Sequence, residues 1–371
     1  MIDSHVKDSA AFTGGGTGGH VFPGIAVYES LRSLTHDTVD CFWIGSRGGI
    51  EEELLKRFSI QYEGIHAGKL RRYFSFKNFT DVIKILMGYI EARRILKRRR
   101  PRVLFSKGGF VSVPPVIAAH RLGIPVVTHE SDVDPGLATR INSRYADVIC
   151  VAYEKTAAAF PEEQREKVVV TGNPVRDEIW RGNRTKGRAL LGVPDGKKVL
   201  LVLGGSLGAR AINDLIAAIV DDLLPHCFIV HQMGSLSFVP SHREGYVTKA
   251  LFEGDFPDIL MASDLVVSRS GAGTLWENAV CRKPAILIPL GMGSSRGDQV
   301  KNAEIFRSMG AARVLDEEGL TPLRLKEEIL SLIRDEESLL RMRNALAGFA
   351  TKNASSDIAS ILFSYIKKEE V

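Results

Sequence analysis

Thr13-Gly14-Gly15-Gly16-Thr17-Gly18-Gly19-His20-Val21-Phe22-Pro23-Gly24 is the stretch whose reading decides the fold. Gly14, Gly16 and Gly19 stand in G-x-G-x-x-G spacing, and Ile25 to Leu31 behind them reads as helix. Glycines lack Cβ atoms, so the backbone can come close to a phosphate or a sugar. A helix N-terminus behind such a loop offers unpaired N–H groups and the positive end of a dipole. Pro23 suits a first helical turn, where its missing N–H costs nothing. A dinucleotide site on this loop also needs an acid at the end of the second strand. That strand ends Trp43-Ile44-Gly45-Ser46-Arg47, with Asp37 and Asp40 before it, which argues against a nicotinamide cofactor. His20 sets the loop apart, as a titratable group beside an anion site and a candidate base.

Outward from the loop, short apolar runs alternate with helical patterns along the chain. Strands are expected at Val39 to Ile44, Arg102 to Phe105, Val126 to His129, Val148 to Val151 and Val168 to Thr171. A second series runs Val199 to Leu203, Phe228 to His231, Lys249 to Phe252, Leu265 to Ser268 and Ala285 to Ile288. These runs lack strict alternation, as in strands buried on both faces of a parallel sheet. The pattern predicts two doubly wound α/β domains, a division that suits 371 residues. The series meet near Thr171-Gly172-Asn173-Pro174, and the polar stretch Arg181 to Gly187 reads as linker. The expected domains are 1–174 with a returning helix at 352–371, and 175–351. The second domain repeats the device at Gly204-Gly205-Ser206-Leu207-Gly208.

Hydrophobic content of 44% and charged content of 25% are those of an ordinary globular enzyme. Cys41, Cys150, Cys227 and Cys281 are far apart, with no C-x-x-C, so neither zinc nor a disulfide framework is expected. A reduced, cytoplasmic setting follows. The N-terminal stretch does not read as a signal peptide, and no run has the length of a membrane span. The net charge of +5 is uneven: Lys69 to Arg102 holds twelve Lys or Arg against Asp81 and Glu91, a local +10. Thr80 is the expected N-cap of a helix ending before Pro101. Val82, Ile83, Leu86, Met87, Tyr89 and Ile90 fill its first turns, and Arg93, Arg94, Lys97, Arg98, Arg99 and Arg100 its last. Tyr73, Phe74, Phe76 and Phe79 lie just ahead, beside Lys69, Arg71 and Arg72. Aromatics next to cations suit an anionic membrane surface, with Phe79, Val82, Ile83, Leu86 and Arg98 to Arg100 as its contacts. They do not line a groove, as nucleic-acid binding would require.

Four further stretches carry candidate chemistry. Asp264 to Glu277 reads as a strand, a Ser/Gly loop and a helix, placing Glu277 one turn inside to accept bonds from ribose hydroxyls. Gln299 and Asn302 share a helical face and suit a neutral sugar, or are only a polar helix start. Arg176, at the domain junction, can bind a diphosphate through forked hydrogen bonds, or form a linker salt bridge. Asp132 and Asp134 make a D-x-D, which fits either a divalent metal or a turn before Pro135-Gly136.

Together these motifs resemble the peptidoglycan N-acetylglucosaminyltransferase (MurG) family of the GT-B glycosyltransferases. The likeness runs in order through Gly15 to Gly24, Ser106 to Ser112, Gly123 to Glu130 and Gly172 to Arg176. It continues in Gly204 to Arg210, in Arg269 to Ala272 with Thr274 and Glu277, and in Gln299 with Asn302-Ala303. The resemblance implies a GT-B fold, two Rossmann-like domains facing a central cleft. It implies transfer of N-acetylglucosamine from UDP-N-acetylglucosamine to undecaprenyl-diphospho-muramoylpentapeptide (lipid I), with inversion, in cell-wall synthesis linked to cell shape and division. The donor would lie in the second domain, on Ser206, Ala272, Gly273, Thr274, Leu275, Glu277, Gln299 and Asn302, with Arg176 near the phosphates. The acceptor would lie on Thr17, Gly18, Gly19 and Asp132, with His20 as first and Glu130 as second candidate base. No metal or other cofactor is implied. Implied partners are anionic inner-membrane lipids and other cell-wall synthesis proteins, with the enzyme peripheral on the cytoplasmic face of the inner membrane. The family usually reads His-Glu-Gln-Asn where this chain has His129-Glu130-Ser131-Asp132, and Gly293 to Asp298 also departs from its pattern. A diacylglycerol-type lipid glycosyltransferase and a UDP-N-acetylglucosamine 2-epimerase are the competing readings.

Overall fold

Among the described residues, thirteen strands form two sheets, every pairing within them parallel. The computed structural model describes residues 8–68, 77–205, 208–252, 254–291 and 297–367, leaving aside the side chains of 77–80. The chain divides into Met1–Arg176 with Asn353–Val371 (unit 1) and Asp177–Lys352 (unit 2).

Unit 1 contains β1 (Ser9–Thr13), β2 (Asp40–Ser46), β3 (Gln61–Ile65), β4 (Val103–Ser106), β5 (Val126–Glu130), β6 (Val148–Val151) and β7 (Val168–Val170). Their order is β3-β2-β1-β4-β5-β6-β7, so the winding reverses between β1 and β4. Thr13 pairs with Ser106 at that point, and the Gly14 and Lys107 loops leave the sheet side by side. Ligand loops of doubly wound sheets gather at such a switch point. Alternate residues face opposite ways. Phe12, Trp43 and Phe105 pack with Val21, Ile25 and Leu31 on one face, while Ala11, Phe42, Ile44 and Leu104 meet Ile95, Leu96 and Val116 on the other. The C-terminal helix Ala354–Ile366 joins the first face through Ile358, Leu362 and Ile366, and Ser355 Oγ donates to Val175 O at 3.1 Å. Its apolar stripe therefore completes unit 1, each such side chain contributing about 1.5–3 kcal/mol by burial.

Unit 2 contains β8 (Lys198–Leu203), β9 (Cys227–Gln232), β10 (Tyr246–Lys249), β11 (Leu265–Ser268), β12 (Ala285–Leu287) and β13 (Ala312–Val314). Their order is β10-β9-β8-β11-β12-β13, with the switch between β8 and β11. Leu203 pairs with Ser268, so the Gly204 and Arg269 loops also emerge together. Leu200, Val202, Leu265 and Val267 pack with Ile212, Ile216, Ile329 and Leu332.

Several local expectations are corrected. The polar stretch at Arg181 to Gly187 is not linker: it opens the helix Arg184–Leu191, capped by Asn183 and tied to Asp264 through Arg184 at 2.8 Å. Close packing explains Gly187, where a Cβ would lie 2.0 Å from Asp258 O. Thr80 is not an N-cap, because its helix, Lys77–Arg99, starts three residues earlier. The strand expected at Lys249 to Phe252 lies at Tyr246–Lys249, in register with β9 from Ile229 to Gln232.

Candidate active site

In unit 1 the glycine loop feeds the helix Gly18–Leu34, whose N-cap residue Thr17 makes no side-chain cap. Thr17, Gly18 and Gly19 thus leave the helix start open to an anion. The loop is fixed from behind. Trp43 Nε1 donates to Gly14 O at 3.0 Å. Glu51, fully buried, accepts from Gly16 N at 3.1 Å and Ser46 N at 2.8 Å. A Cβ on Gly15 would lie 2.5 Å from the Glu51 carboxyl carbon, so any larger residue there would displace the Glu51 carboxylate. The His20 side chain lies against the Gly108-Gly109 turn. A Cβ on Gly109, at φ 79°, would lie 2.4 Å from Gly15 O and 3.2 Å from the imidazole Cδ2. Arg176 stands over the Phe22 ring at 5.1 Å, on the same helix turn as Gly18. Arg176 belongs to unit 1.

The neighbouring β5 loop is held by buried charge. Glu130 accepts from Ser131 N at 2.9 Å and Asp132 N at 3.1 Å on Oε1, and from Gly136 N at 2.9 Å on Oε2. Both its oxygens are thus engaged by the loop that it shapes. His129 Nε2 donates to Gly172 O at 2.9 Å, and burial, then the nearby Lys107 charge, hold its pKa well below the ordinary value. The imidazole is neutral and joins β5 to the Gly172-Asn173 turn. Lys107 is buried too, and burial lowers its pKa against the opposing pull of Glu130 and Asp132. Among the described residues, no group of three or more His, Cys, Asp or Glu could hold a metal ion.

In unit 2 the helix Ala272–Val280 follows β11, and its N-cap residue Gly271 offers no side chain. Gly273, Thr274 and Glu277 are partly exposed. Leu275 is 1% exposed, packs into the unit, and donates its N–H to Gly271 O at 3.0 Å. Asn302 is fully buried, its amide 3.5 Å from Ser270 O, and supports the loop from beneath. Gln299 accepts from Leu290 N at 3.1 Å, and its backbone O accepts from Ser270 Oγ at 2.8 Å. Ser206 lies outside the described residues, as do Lys69, Arg71, Arg72, Tyr73, Phe74, Phe76 and the Phe79 side chain.

The helix Lys77–Arg99 carries an apolar stripe at Val82, Ile83, Leu86, Met87 and Ile90, all exposed, with Leu86 at 60%. Arg93, Arg94, Lys97 and Arg100 are exposed beyond it. Arg98 pairs with Glu63 at 2.7 Å. Arg99 turns inward, 3.6 Å from Asp40 and over the Phe42 ring, so it braces the sheet edge rather than facing outward. Among the described residues no helix is long and apolar enough to cross a membrane. No motif marks Glu51, and Lys107 enters the sequence pattern only as a member of the Ser106 to Ser112 run, with no role attached; their burial at the switch point is what singles them out.

Two doubly wound parallel units, each presenting an uncapped helix at its switch point, are the architecture of a GT-B glycosyltransferase. Acinetobacter baumannii MurG has the same build, with a TM-score of 0.72 and 26% identity over 96% of this chain and 99% of that one. The glycosyltransferase family 28 N-terminal domain matches residues 10–151 and its C-terminal domain residues 199–359. The chain belongs to that family. It is similar to the UDP-N-acetylglucosamine–N-acetylmuramyl-(pentapeptide) pyrophosphoryl-undecaprenol N-acetylglucosamine transferases of Treponema denticola and Treponema pallidum. Identity is 44% over 95% of this chain and 97% of the first, and 45% over 99% and 98% of the second.

Proposed function

We propose that this chain transfers N-acetylglucosamine from UDP-N-acetylglucosamine to N-acetylmuramyl-(pentapeptide) pyrophosphoryl-undecaprenol, the reaction named for its Treponema relatives. The observation that carries the assignment of roles is the His20 imidazole at the uncapped helix of unit 1, packed on the Gly108-Gly109 turn. The acceptor diphosphate sits on Thr17, Gly18 and Gly19, with Arg176 close by on Phe22. The acceptor hydroxyl attacks the anomeric carbon and its proton passes to His20. The new C–O bond forms as the bond to the β-phosphate oxygen breaks, and the electron pair leaves with UDP from the opposite face. N–H groups of Ala272 to Thr274 meet the growing diphosphate charge. Glu277 takes the ribose, and Gln299 offers its amide nitrogen to the sugar. Asn302 and Leu275 act by holding this loop.

The enzyme works as a peripheral protein on the cytoplasmic face of the inner membrane. The stripe from Val82 to Ile90 enters the headgroup region, and Arg93, Arg94, Lys97 and Arg100 meet anionic lipid, each cation adding about 1 kcal/mol. Incubation with labelled UDP-N-acetylglucosamine, with and without lipid I, tests the reaction. Label in the lipid is the expected result. Label on diacylglycerol, or free sugar of altered configuration, would sink it. Flotation with anionic vesicles tests the surface: Leu86→Asp and a combined Arg93→Glu/Arg94→Glu variant should both stay unbound, and undiminished binding would refute the membrane face.

A further inference from the structure

Lys107 has no part in the chemistry set out above, yet it is 2% exposed and lies where four loops meet. Its backbone N–H donates to Thr13 O at 2.8 Å, and its Cβ lies 3.1 Å from the place of a Cβ on Gly14. Its Nζ donates to Ser131 Oγ at 2.8 Å, and the Ser131 hydroxyl donates to Asn173 Oδ1. One side chain thus connects the glycine loop, its own β4 turn, the 130–132 loop and the Gly172-Asn173 turn. The relay ends at Asn173, 2% exposed, whose Nδ2 has no hydrogen-bond partner among the described residues. An ammonium taken out of water is costly unless opposite charge stands near. Glu130 and Asp132 are the carboxylates that act on it. Glu130 is engaged with three backbone N–H groups, whereas Asp132 is partly exposed. Without Lys107, the 130–132 loop would carry one more unit of negative charge beside a loop that has to receive an anion.

We propose that Lys107 is the internal countercharge of the acceptor site. It cancels one of the two carboxylate charges on the 130–132 loop, and so lets unit 1 take a diphosphate-bearing acceptor with an Asp at position 132. Lys107 is a positioning residue: it acts through Ser131 and Asp132 and does not touch the reacting atoms. The inference rests on the acceptor reading of unit 1 given above.

The test compares wild type, Lys107→Met, Asp132→Asn and the double variant. Each is measured for kcat, for both KM values, and for inhibition by inorganic pyrophosphate competing with lipid I at saturating UDP-N-acetylglucosamine. Lys107→Met should raise the lipid I KM and weaken pyrophosphate inhibition about tenfold, with the donor KM within about twofold of wild type. Adding Asp132→Asn should bring the lipid I KM back to within about threefold, since charge balance returns without the ammonium. A lipid I KM unmoved by Lys107→Met, or a loss equal in single and double variants, overturns the proposal. If Lys107→Met does not fold, Asp132→Asn alone decides: it should lower the lipid I KM, and a KM that stays or rises overturns the countercharge. Wild-type protein that transfers no sugar to lipid I would refute the acceptor reading itself, a separate result.

Discussion

The two units present the same device in different electrostatic settings. In unit 1 the glycine loop rests on ionisable groups of the chain itself: Glu51 against Gly15 and Gly16, Lys107 against Gly14, and Glu130 in the next loop. In unit 2, among the described residues, neutral contacts join the loop before the Ala272–Val280 helix to its neighbours: Ser270 to Gln299, Gln299 to Leu290 and Asn302 to Ser270. The Arg269–Glu317 pair braces the strand end beside them. A loop whose own carboxylate already occupies one amide has fewer N–H groups left for a ligand, and its affinity depends on internal charge balance. A neutral frame leaves the helix dipole to the incoming anion. On the proposed assignment of substrates, similar folds would bind a lipid-linked diphosphate and a nucleotide diphosphate by different means.

The largest expected effect separates chemistry from binding. His20→Ala should lower kcat by about 10²–10⁴-fold with little change in either KM; near-normal turnover at saturating substrates would remove His20 as base. Next comes a pH effect. His231 in unit 2 is fully buried between Tyr246 Oη at 2.9 Å and Asn213 Oδ1 at 3.0 Å, and burial lowers its pKa to about 4. Below the ordinary value of 6.5 the unfolded chain takes a proton that the folded chain refuses. Stability should thus fall as pH drops from about 6.5 to about 4, by up to about 3 kcal/mol, and stay level above that window. His129 has the same sign in unit 1. Denaturant unfolding across this range should show a flatter pH dependence for His231→Gln; an unchanged slope would disprove the assignment.

Glu277→Ala tests the neutral frame. It should raise the UDP-N-acetylglucosamine KM by about 10–100-fold, the worth of hydrogen bonds to a charged group, and spare the lipid I KM. A loss shared by both substrates would place Glu277 elsewhere. The smallest change is expected for Glu51→Gln, which keeps the shape and removes one acceptor oxygen. Thermal unfolding should show a loss of about 1–3 kcal/mol, and the lipid I KM should rise severalfold while the donor KM holds. Equal disturbance of both substrates would end the contrast between the two loops.

Much of this layout is readable in the sequence because its signals are local. The β-branched runs at Val126, Val148, Val199 and Leu265 announce strands buried on both faces, and the glycine loops announce the turns. β3, Gln61–Ile65, escaped notice because an edge strand need not be apolar, and only its Ile65 is buried. β13, Ala312–Val314, is too short to stand out. Leu275 enters only through the family resemblance, and Asn302 looks like a ligand in sequence because helical spacing shows which residues share a face. It does not show which face the sheet covers. Arg99 is similar: the six cations from Arg93 to Arg100 look alike until Asp40 and Phe42 claim one.

What the sequence determined by itself was the doubled parallel architecture, the two glycine loops and the candidate status of His20 and Glu277. Periodicity and turn chemistry act over a few residues and survive without a fold. What only tertiary structure decided was the electrostatics behind those loops. Glu51 follows β2 by five residues, and Lys107 and Ser131 are 24 positions apart. They become neighbours of the glycine loop because the sheet order puts β2, β1, β4 and β5 next to one another. Burial then turns ordinary charged side chains into fixed internal charges, and that property belongs to the fold rather than to any stretch of chain.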